Sequence, residues 1–318
     1  MHDSAPLRLG ISSCLLGEEV RFDGGHKRDA FLVQTLGKFV EWVPVCPEVE
    51  IGLSVPRPSL RLVGEPEEPS LVVQKTGEDL TGLMQTWGEA RIAALAASNI
   101  DGYVLKKDSP SCGMERVRVY GPGSAPSRRG SGIFAAQLME RMPLLPVEEE
   151  GRLNDPVLRE NFIERLFAYR AWREFVANDP GPGDLVALHG SYKLTLMAHH
   201  PQRYRELGRL VAGAGKRKMP QLLAEYGEGF MAALRYRATR RKHANVLYHL
   251  AGFLKRALDG ADREELVALI ESYRTGLVPL VVPVTLLRHH FRRHPHEWVS
   301  QQSYLNPYPS ELMLRNHV

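Results

Sequence analysis

Leu7-Arg8-Leu9-Gly10-Ile11-Ser12-Ser13-Cys14 is the stretch on which the fold reading turns. A short apolar run that gives way to serine, cysteine and glycine reads as a buried strand stopping at a loop. Two more runs end the same way. Phe39-Val40-Glu41-Trp42-Val43-Pro44-Val45 leads into Cys46, and Tyr103-Val104-Leu105 passes through Lys106-Lys107-Asp108-Ser109-Pro110-Ser111 to Cys112. These are the three cysteines of the chain. Between and beyond them the pattern predicts a glycine-bearing loop at 17–25, a helix at about 28–40, a proline-rich segment at 47–69 and a helix at 81–98. A short strand at 117–120, a small-residue stretch at 121–132 and a helix at 133–141 follow. Strand–helix alternation of this kind implies an α/β domain with a mostly parallel sheet and helices on both faces.

In such a sheet the strand ends share one edge, where these folds hold ligands. The three cysteines are therefore expected to converge. Three thiolates there would make a metal or cluster site with one coordination position left open. The spacings are long and none is C-x-x-C, so spacing alone does not choose between zinc and an iron–sulfur cluster. Three unlinked buried cysteines are the plainer alternative, since free Cys is among the most buried residue types.

Around residues 144–155 the pattern changes, with Glu148-Glu149-Glu150-Gly151 as the expected boundary between a domain at 1–149 and an all-α domain at 150–318. Asp155-Pro156 reads as a helix N-cap and first-turn pair. Helices are predicted near 184–199, 220–239, 240–258 and 262–274. Charge divides along the same line. Residues 1–150 carry 16 Lys and Arg against 21 Asp and Glu, a net of −5, whereas residues 151–318 carry 25 against 16, a net of +9, with ten of the twelve histidines. A basic second half points to a polyanionic partner. An odd, small cysteine count argues against a disulfide framework. The segment at 7–11 is too short and too charged for a signal peptide, and the longest apolar stretch, 276–287, is far below the roughly 20 residues that span a bilayer. A cytoplasmic, reduced protein without a membrane partner is expected.

The cysteine contexts supply candidate chemistry. Ser12-Ser13-Cys14 and Ser109-Pro110-Ser111-Cys112 surround the thiols with hydroxyls and backbone N–H groups, which makes Ser13 and Ser111 candidates for holding a substrate. Cys46-Pro47-Glu48 sets a carboxylate two residues past a sulfur; hydrolysis needs such a base, and a structural metal site rarely does. The plainer reading of Glu48 is a loop or helix-start acid. Ser109 suits proton relay, or is a turn residue before Pro110. Asp23-Gly24-Gly25-His26 is a loop able to cover or position a ligand through its N–H groups, with His26 either a fourth metal ligand or, as preferred here, a loop histidine. Lys106, Lys107 and Asp108 would meet phosphate or ribose, or simply decorate a strand end.

In order along the chain, Cys14-Leu15-Leu16-Gly17, Arg21-Phe22-Asp23-Gly24, Cys46-Pro47-Glu48, Pro56-Arg57-Pro58 and Ser109-Pro110-Ser111-Cys112-Gly113 resemble the TudS-like desulfidases, the thiouracil desulfurase family. The resemblance implies that Cys14, Cys46 and Cys112 hold a [4Fe–4S] cluster whose fourth iron has no protein ligand, and that Glu48 is the acid/base. Leu188-His189-Gly190-Ser191-Tyr192-Lys193-Leu194, Leu196-Met197-Ala198-His199 and Tyr304-Leu305-Asn306-Pro307-Tyr308-Pro309 look like the YbgA-type helical domain. The fusion resembles the bacterial RudS-type tRNA 4-thiouridine desulfidases, which implies replacement of C=S by C=O in a thiolated pyrimidine nucleotide of tRNA. Free thiouracil or thiouridine monophosphate is the competing substrate, and a non-catalytic RNA-binding protein with structural zinc the competing class. The basic runs that would meet tRNA phosphates are Arg240-Arg241-Lys242, the stretch from Arg288 to His294 containing Arg292 and Arg293, and Lys216-Arg217-Lys218, together with Lys193. Tyr236, Tyr248 and Phe291 are candidates for stacking on bases. Solvated basic faces are the plainer reading of each run.

Overall fold

The computed structural model describes residues 6–121 and 125–317. The chain forms two compact units that divide between Asp155 and Pro156. Within the first, β1 (Leu7–Ser12), β2 (Val40–Val45), β5 (Gly102–Leu105) and β8 (Val147–Glu149) build one sheet in the order β2-β1-β5-β8. All its pairings are parallel, with Ser12 opposite Val45 and Ile11 opposite Val104. β1 and β5 are almost wholly buried, as expected of inner strands of a parallel sheet. Because β2, β1 and β5 are adjacent and point the same way, the segments carrying Cys46, Cys14 and Cys112 leave one edge together. Glu148 and Glu149, at the expected domain boundary, instead lie in the last strand of this sheet.

A second sheet, in the order β4-β3-β6-β7, is formed by β3 (Leu60–Glu65), β4 (Glu68–Val73), β6 (Val117–Tyr120) and β7 (Ser127–Gly130). Its β3–β4 and β6–β7 pairs are antiparallel and its β3–β6 pair is parallel. The proline-rich segment expected at 47–69 thus carries α1 (Pro47–Glu50), β3 and the start of β4. Pro69 sits in the edge strand β4, where a missing N–H is tolerated. Of the small-residue stretch, residues 122–124 lie outside the described residues. The single helix expected at 28–40 is also corrected: a short π turn (Phe31–Thr35) runs into a 3-10 turn (Leu36–Lys38) before β2. A side chain at Gly37 would meet the Leu32 carbonyl and the Trp42 indole at 3.1 and 3.2 Å, so the chain bends closely there.

The remaining elements of this unit are α1 (Pro47–Glu50), α2 (Thr81–Ala97) and α3 (Ile133–Arg141). The start of α3 fixes the third cysteine. Ile133 N and Ala135 N donate to the carbonyls of Pro110 (3.1 Å) and Ser111 (3.2 Å), and Gly132 N to that of Gly113 (2.8 Å). A Cβ on Gly132 would fall 2.5 Å from the Ser111 carbonyl carbon. Only glycine lets the two segments approach this closely.

The second unit is helical: α4 (Pro156–Ala177), α5 (Pro182–Ser191), α6 (Lys193–His199), α7 (Pro201–Ala212), α8 (Met219–Leu234), α9 (Arg240–Leu254), α10 (Gly260–Thr275), α11 (Val281–Arg293) and α12 (Glu297–Ser300). The helix expected at 184–199 is two, broken at Tyr192. Among the described residues no helix is long and apolar enough to cross a membrane. A buried ionic network ties α4 to α6 and to the chain's end. His199 Nε2 meets Glu164 Oε2 at 2.9 Å, its Nδ1 meets the Tyr236 carbonyl at 2.5 Å, and Arg315 Nε donates to Glu160 Oε1 at 3.1 Å. The two nearest partners of the His199 ring, the Glu164 carboxylate and the Tyr236 carbonyl, are acceptors, an arrangement that suits a ring donating from both nitrogens. Burial would raise the Glu164 carboxyl, but the charge and hydrogen bond of His199 outweigh it and hold it at about 2. Burial disfavours the charged His199 ring, yet Glu164 raises it above 6.5. The Glu164 share of stability is present above its ordinary 4.5 and lost as pH falls toward about 2. The His199 share is complete below 6.5 and lost as pH rises through the raised value. Glu164→Gln is thus expected to cost about 3–5 kcal/mol. In thermal melts, its deficit should be largest between pH 4.5 and 6.5 and narrower on either side.

Candidate active site

Cys14 sits in a 3-10 turn (Ser13–Leu15) that ends β1, Cys46 caps α1 after β2, and Cys112 lies in the loop after β5. All three line one cavity of about 320 Å³ at the shared strand edge, together with Ser13, Phe22, Glu48, Lys107 and Ser109. Eight residues separated by up to 99 positions in sequence are thereby brought to one cavity. Burial pushes the Cys14 thiol up to about 11, with Lys106 opposing, and also raises Cys46 and, further, Cys112. Buried sulfurs of this kind lose their protons when a metal's positive charge faces them. The described residues contain no group of three His, Cys, Asp or Glu side chains placed to hold a single metal ion. A zinc ion with Zn–S bonds of about 2.3 Å would draw the three sulfurs together. Three thiols lining a cavity of this size also suit a larger thiolate-bound cluster, whose protein ligands are cysteine sulfurs.

Glu48 lies in the first turn of α1, where a negative charge suits the helix dipole. Its carboxylate is fixed from both sides. Arg57 donates from Nε (2.8 Å) and Nη2 (2.7 Å) to Oε2, and Ser111 Oγ donates to Oε1 at 2.9 Å. Arg57 is itself clamped, donating to the carbonyls of Val20 (2.9 Å) and Ser54 (3.3 Å), and its side chain is only 4% exposed. Pro56-Arg57-Pro58 is one of the motifs that carry the family resemblance, and the structure gives its arginine a role. No local pattern announces a partner nine residues away across a loop.

Ser109 Oγ accepts from Cys112 N (3.0 Å) and Ser111 N (3.3 Å), bracing the cysteine loop with contacts that leave its own proton unused. Lys106 Nζ pairs with Glu150 at 2.5 Å, and Lys107 N donates to the other Glu150 oxygen at 2.8 Å.

Three expected substrate contacts are placed elsewhere. Ser111 is fully buried behind Glu48 and does not face the cavity. Asp23 and Gly24 are not on its wall: the Asp23 carboxylate accepts from Gly25 N at 3.1 Å and pairs with Arg21, while Arg21 and Phe22 are the loop residues that face inward. His26 is an exposed loop histidine that accepts from Arg28 N at 3.2 Å.

In the helical unit, Arg240, Arg241, Arg292 and Arg293 are exposed at the start of α9 and the end of α11. Lys242 and Lys193 are half-buried and engaged. Lys242 Nζ donates to the His199 carbonyl at 2.6 Å, capping α6, and Lys193 Nζ stands 5.4 Å above the Trp298 ring. Arg288 donates to the Leu305 carbonyl and Arg217 pairs with Glu225. Of the aromatic candidates, Phe291 packs against the core and the Tyr248 hydroxyl donates to Glu271. Tyr236 is 45% exposed, with His200 edge-on at 4.3 Å and the Arg203 guanidinium 5.5 Å over its ring.

A parallel-sheet domain with three cysteines and a clamped glutamate around one cavity defines an α/β protein with a thiol-lined pocket. Residues 9–150 match the 2-thiouracil desulfurase family, and residues 193–309 match a family described as a protein of unknown function, DUF1722. The chain is 32% identical over 158 residues to the protein YbgA of Escherichia coli (strain K12), spanning 49% of this chain and 94% of that protein. It is 33% identical over 150 residues to YbbK of Bacillus subtilis (strain 168), spanning 46% of this chain and 97% of that protein. Among solved structures, the [4Fe-4S]-dependent thiouracil desulfidase TudS is 32% identical over 47% of this chain and 94% of its own, with a TM-score of 0.40. The chain belongs to the 2-thiouracil desulfurase family, with a YbgA-type module joined to it.

Proposed function

We propose that this chain is an iron–sulfur desulfidase that converts 4-thiouridine in tRNA to uridine by hydrolysis. The observation that carries the reading is the meeting of Cys14, Cys46, Cys112 and Glu48 on one cavity. Held by the three cysteines, a [4Fe–4S] cluster with one iron free of protein ligands supplies a thiophilic Lewis acid suited to a thiocarbonyl sulfur. Phe22, 41% exposed at the cavity, offers a ring on which a pyrimidine stacks. Glu48 takes a proton from the attacking water on a carboxylate oxygen and returns it to the departing sulfur, so that C=S and water become C=O and sulfide without net redox change. Arg57 and Ser111 keep its carboxylate plane fixed through that exchange. The Ser109 hydroxyl donates toward the ring.

The net charge of +9 on residues 151–318, the exposed arginines of α9 and α11 and the Arg-flanked Tyr236 favour RNA as the carrier of the base. Position in a folded RNA demands that the base be extracted, and a second unit gripping the backbone supplies binding energy for that step. The family description, 2-thiouracil desulfurase, favours a free thiolated base as the second reading. Both are tested by comparing kcat/KM on thiolated tRNA, 4-thiouridine monophosphate and 2-thiouracil in ¹⁸O-labelled water. The proposal expects tRNA to lead by at least about tenfold, or about 1.4 kcal/mol, with the label in the product carbonyl. A lead for 2-thiouracil establishes the second reading, and unlabelled product removes the hydrolytic step.

A further inference from the structure

A second cavity, about 310 Å³, lies over the other sheet and shares Asp108 and Pro110 with the cysteine-lined one. Two arginines line it. Leu62 stands opposite Val119 in the parallel β3–β6 pair, so Arg61 and Arg118 are neighbours on the face opposite those buried side chains. Arg61 Nε is buried without a hydrogen-bond partner in the described structure, and its guanidinium lies 5.6 Å over the Tyr120 ring. Gln74 adds a donor: its Oε1 already accepts from Ser59 Oγ at 2.7 Å, which turns the amide NH₂ the other way. Among the described residues the one acid on the wall is Asp108, at φ +58° and shared by the two cavities.

This arrangement has the chemistry of a phosphate site beside a base site. Guanidinium groups match phosphate oxygens with paired N–H donors, and an unsatisfied buried donor gains most from such a ligand. A carboxylate between the two suits a ribose, whose hydroxyls donate to it. We propose that the cavity over β3 and β6 is a phosphate subsite that takes the phosphodiester flanking the thiolated nucleotide, with Arg61, Arg118 and Gln74 as donors and Asp108 on the ribose. The inference rests on the desulfidase reading and deepens it: the enzyme recognises its base as part of a polynucleotide within the α/β unit itself.

The test is the double variant Arg61→Gln with Arg118→Gln in the full chain, assayed on 2-thiouracil, 4-thiouridine 5′-monophosphate and a short single-stranded RNA carrying internal 4-thiouridine. The ratio of kcat/KM on the RNA to that on 2-thiouracil is expected to fall about 10- to 100-fold, mostly through KM. The slope of log affinity against log salt should flatten by roughly 1.4, about 0.7 for each of two phosphate contacts on a single strand. An unchanged ratio, or an equal loss on both substrates, overturns the subsite. A loss confined to the monophosphate assigns the site to a terminal phosphate and overturns the phosphodiester assignment. If the native chain converts neither these three nor thiolated tRNA, the desulfidase reading itself fails. Fluorescence anisotropy with the labelled RNA then still decides the subsite, which an unchanged Kd in the double variant overturns.

Discussion

Glu48→Gln is expected to lower kcat on a thiolated pyrimidine by about 10²- to 10⁴-fold, the usual contribution of a positioned general acid–base. The substitution keeps the shape of the side chain, so a substrate can still enter the cavity and KM should move far less than kcat. What disappears is the carboxylate that takes the proton of water. The change also acts on Arg57. That guanidinium gives two donors, at 2.8 and 2.7 Å, to a single oxygen of Glu48 and has almost no solvent of its own. Removing the counter-charge of such a pair costs stability as well, on the order of 3–5 kcal/mol. The variant should therefore melt earlier, and rates must be compared on the folded fraction at a temperature below its transition. Ser111→Ala removes only one neutral hydrogen-bond donor to the same carboxylate and serves as the graded comparison, with a loss of roughly tenfold or less. A Glu48→Gln protein with a native kcat would remove the acid–base role.

Cys112→Ala is expected to abolish both turnover and retention of the inorganic cluster. Cys112 is one of three protein sulfurs on the cavity, and among the described residues no other His or Cys shares that wall. Two thiolates and two open irons hold a cluster poorly, so iron and acid-labile sulfide should fall well below about four of each per chain. The fold should survive the change. The loop at Cys112 is anchored by backbone hydrogen bonds to the first turn of α3 and by Ser109 Oγ, none of which involve its sulfur. Circular dichroism of the variant should match the native chain. Retention of full iron and sulfide by Cys112→Ala would break the three-cysteine assignment, whatever happens to activity.

Much of the site was legible because a parallel sheet converts sequence order into spatial order. Apolar runs ending at Cys14, Cys46 and Cys112 suffice to place the cysteines at one edge once the strands are known to run parallel. The strand at Val117–Tyr120 and the helix Ile133–Arg141 have the residues expected, since each is a clear periodic run bounded by turn residues. The second sheet was hidden by its prolines and charges: β4 carries Pro69 and β7 reads Ser127-Arg128-Arg129-Gly130, both tolerated because they are edge strands. That sheet brings Arg61 and Arg118 together, and no spacing along the chain signals a pairing between residues 57 positions apart. The Arg57 clamp on Glu48 was missed for the same reason. The hydroxyl of Ser111, among those surrounding the thiols in sequence, makes it a candidate substrate contact. The loop turns it inward, where its hydroxyl donates to Glu48. In the helical unit, composition marked the basic runs but not which cations are occupied. Lys242 and Arg288 bind carbonyls of their own unit, whereas Arg240, Arg241, Arg292 and Arg293 stay exposed.

The measurement that bears most directly on the central claim is iron and acid-labile sulfide per chain in anaerobically prepared full-length protein, taken with the uridine formed from 4-thiouridine tRNA by the same sample. The account predicts about four irons and four sulfides, together with uridine and released sulfide in equal amounts. Protein carrying the full cluster that leaves 4-thiouridine, its monophosphate and 2-thiouracil untouched would contradict it, as would conversion by protein that holds no iron.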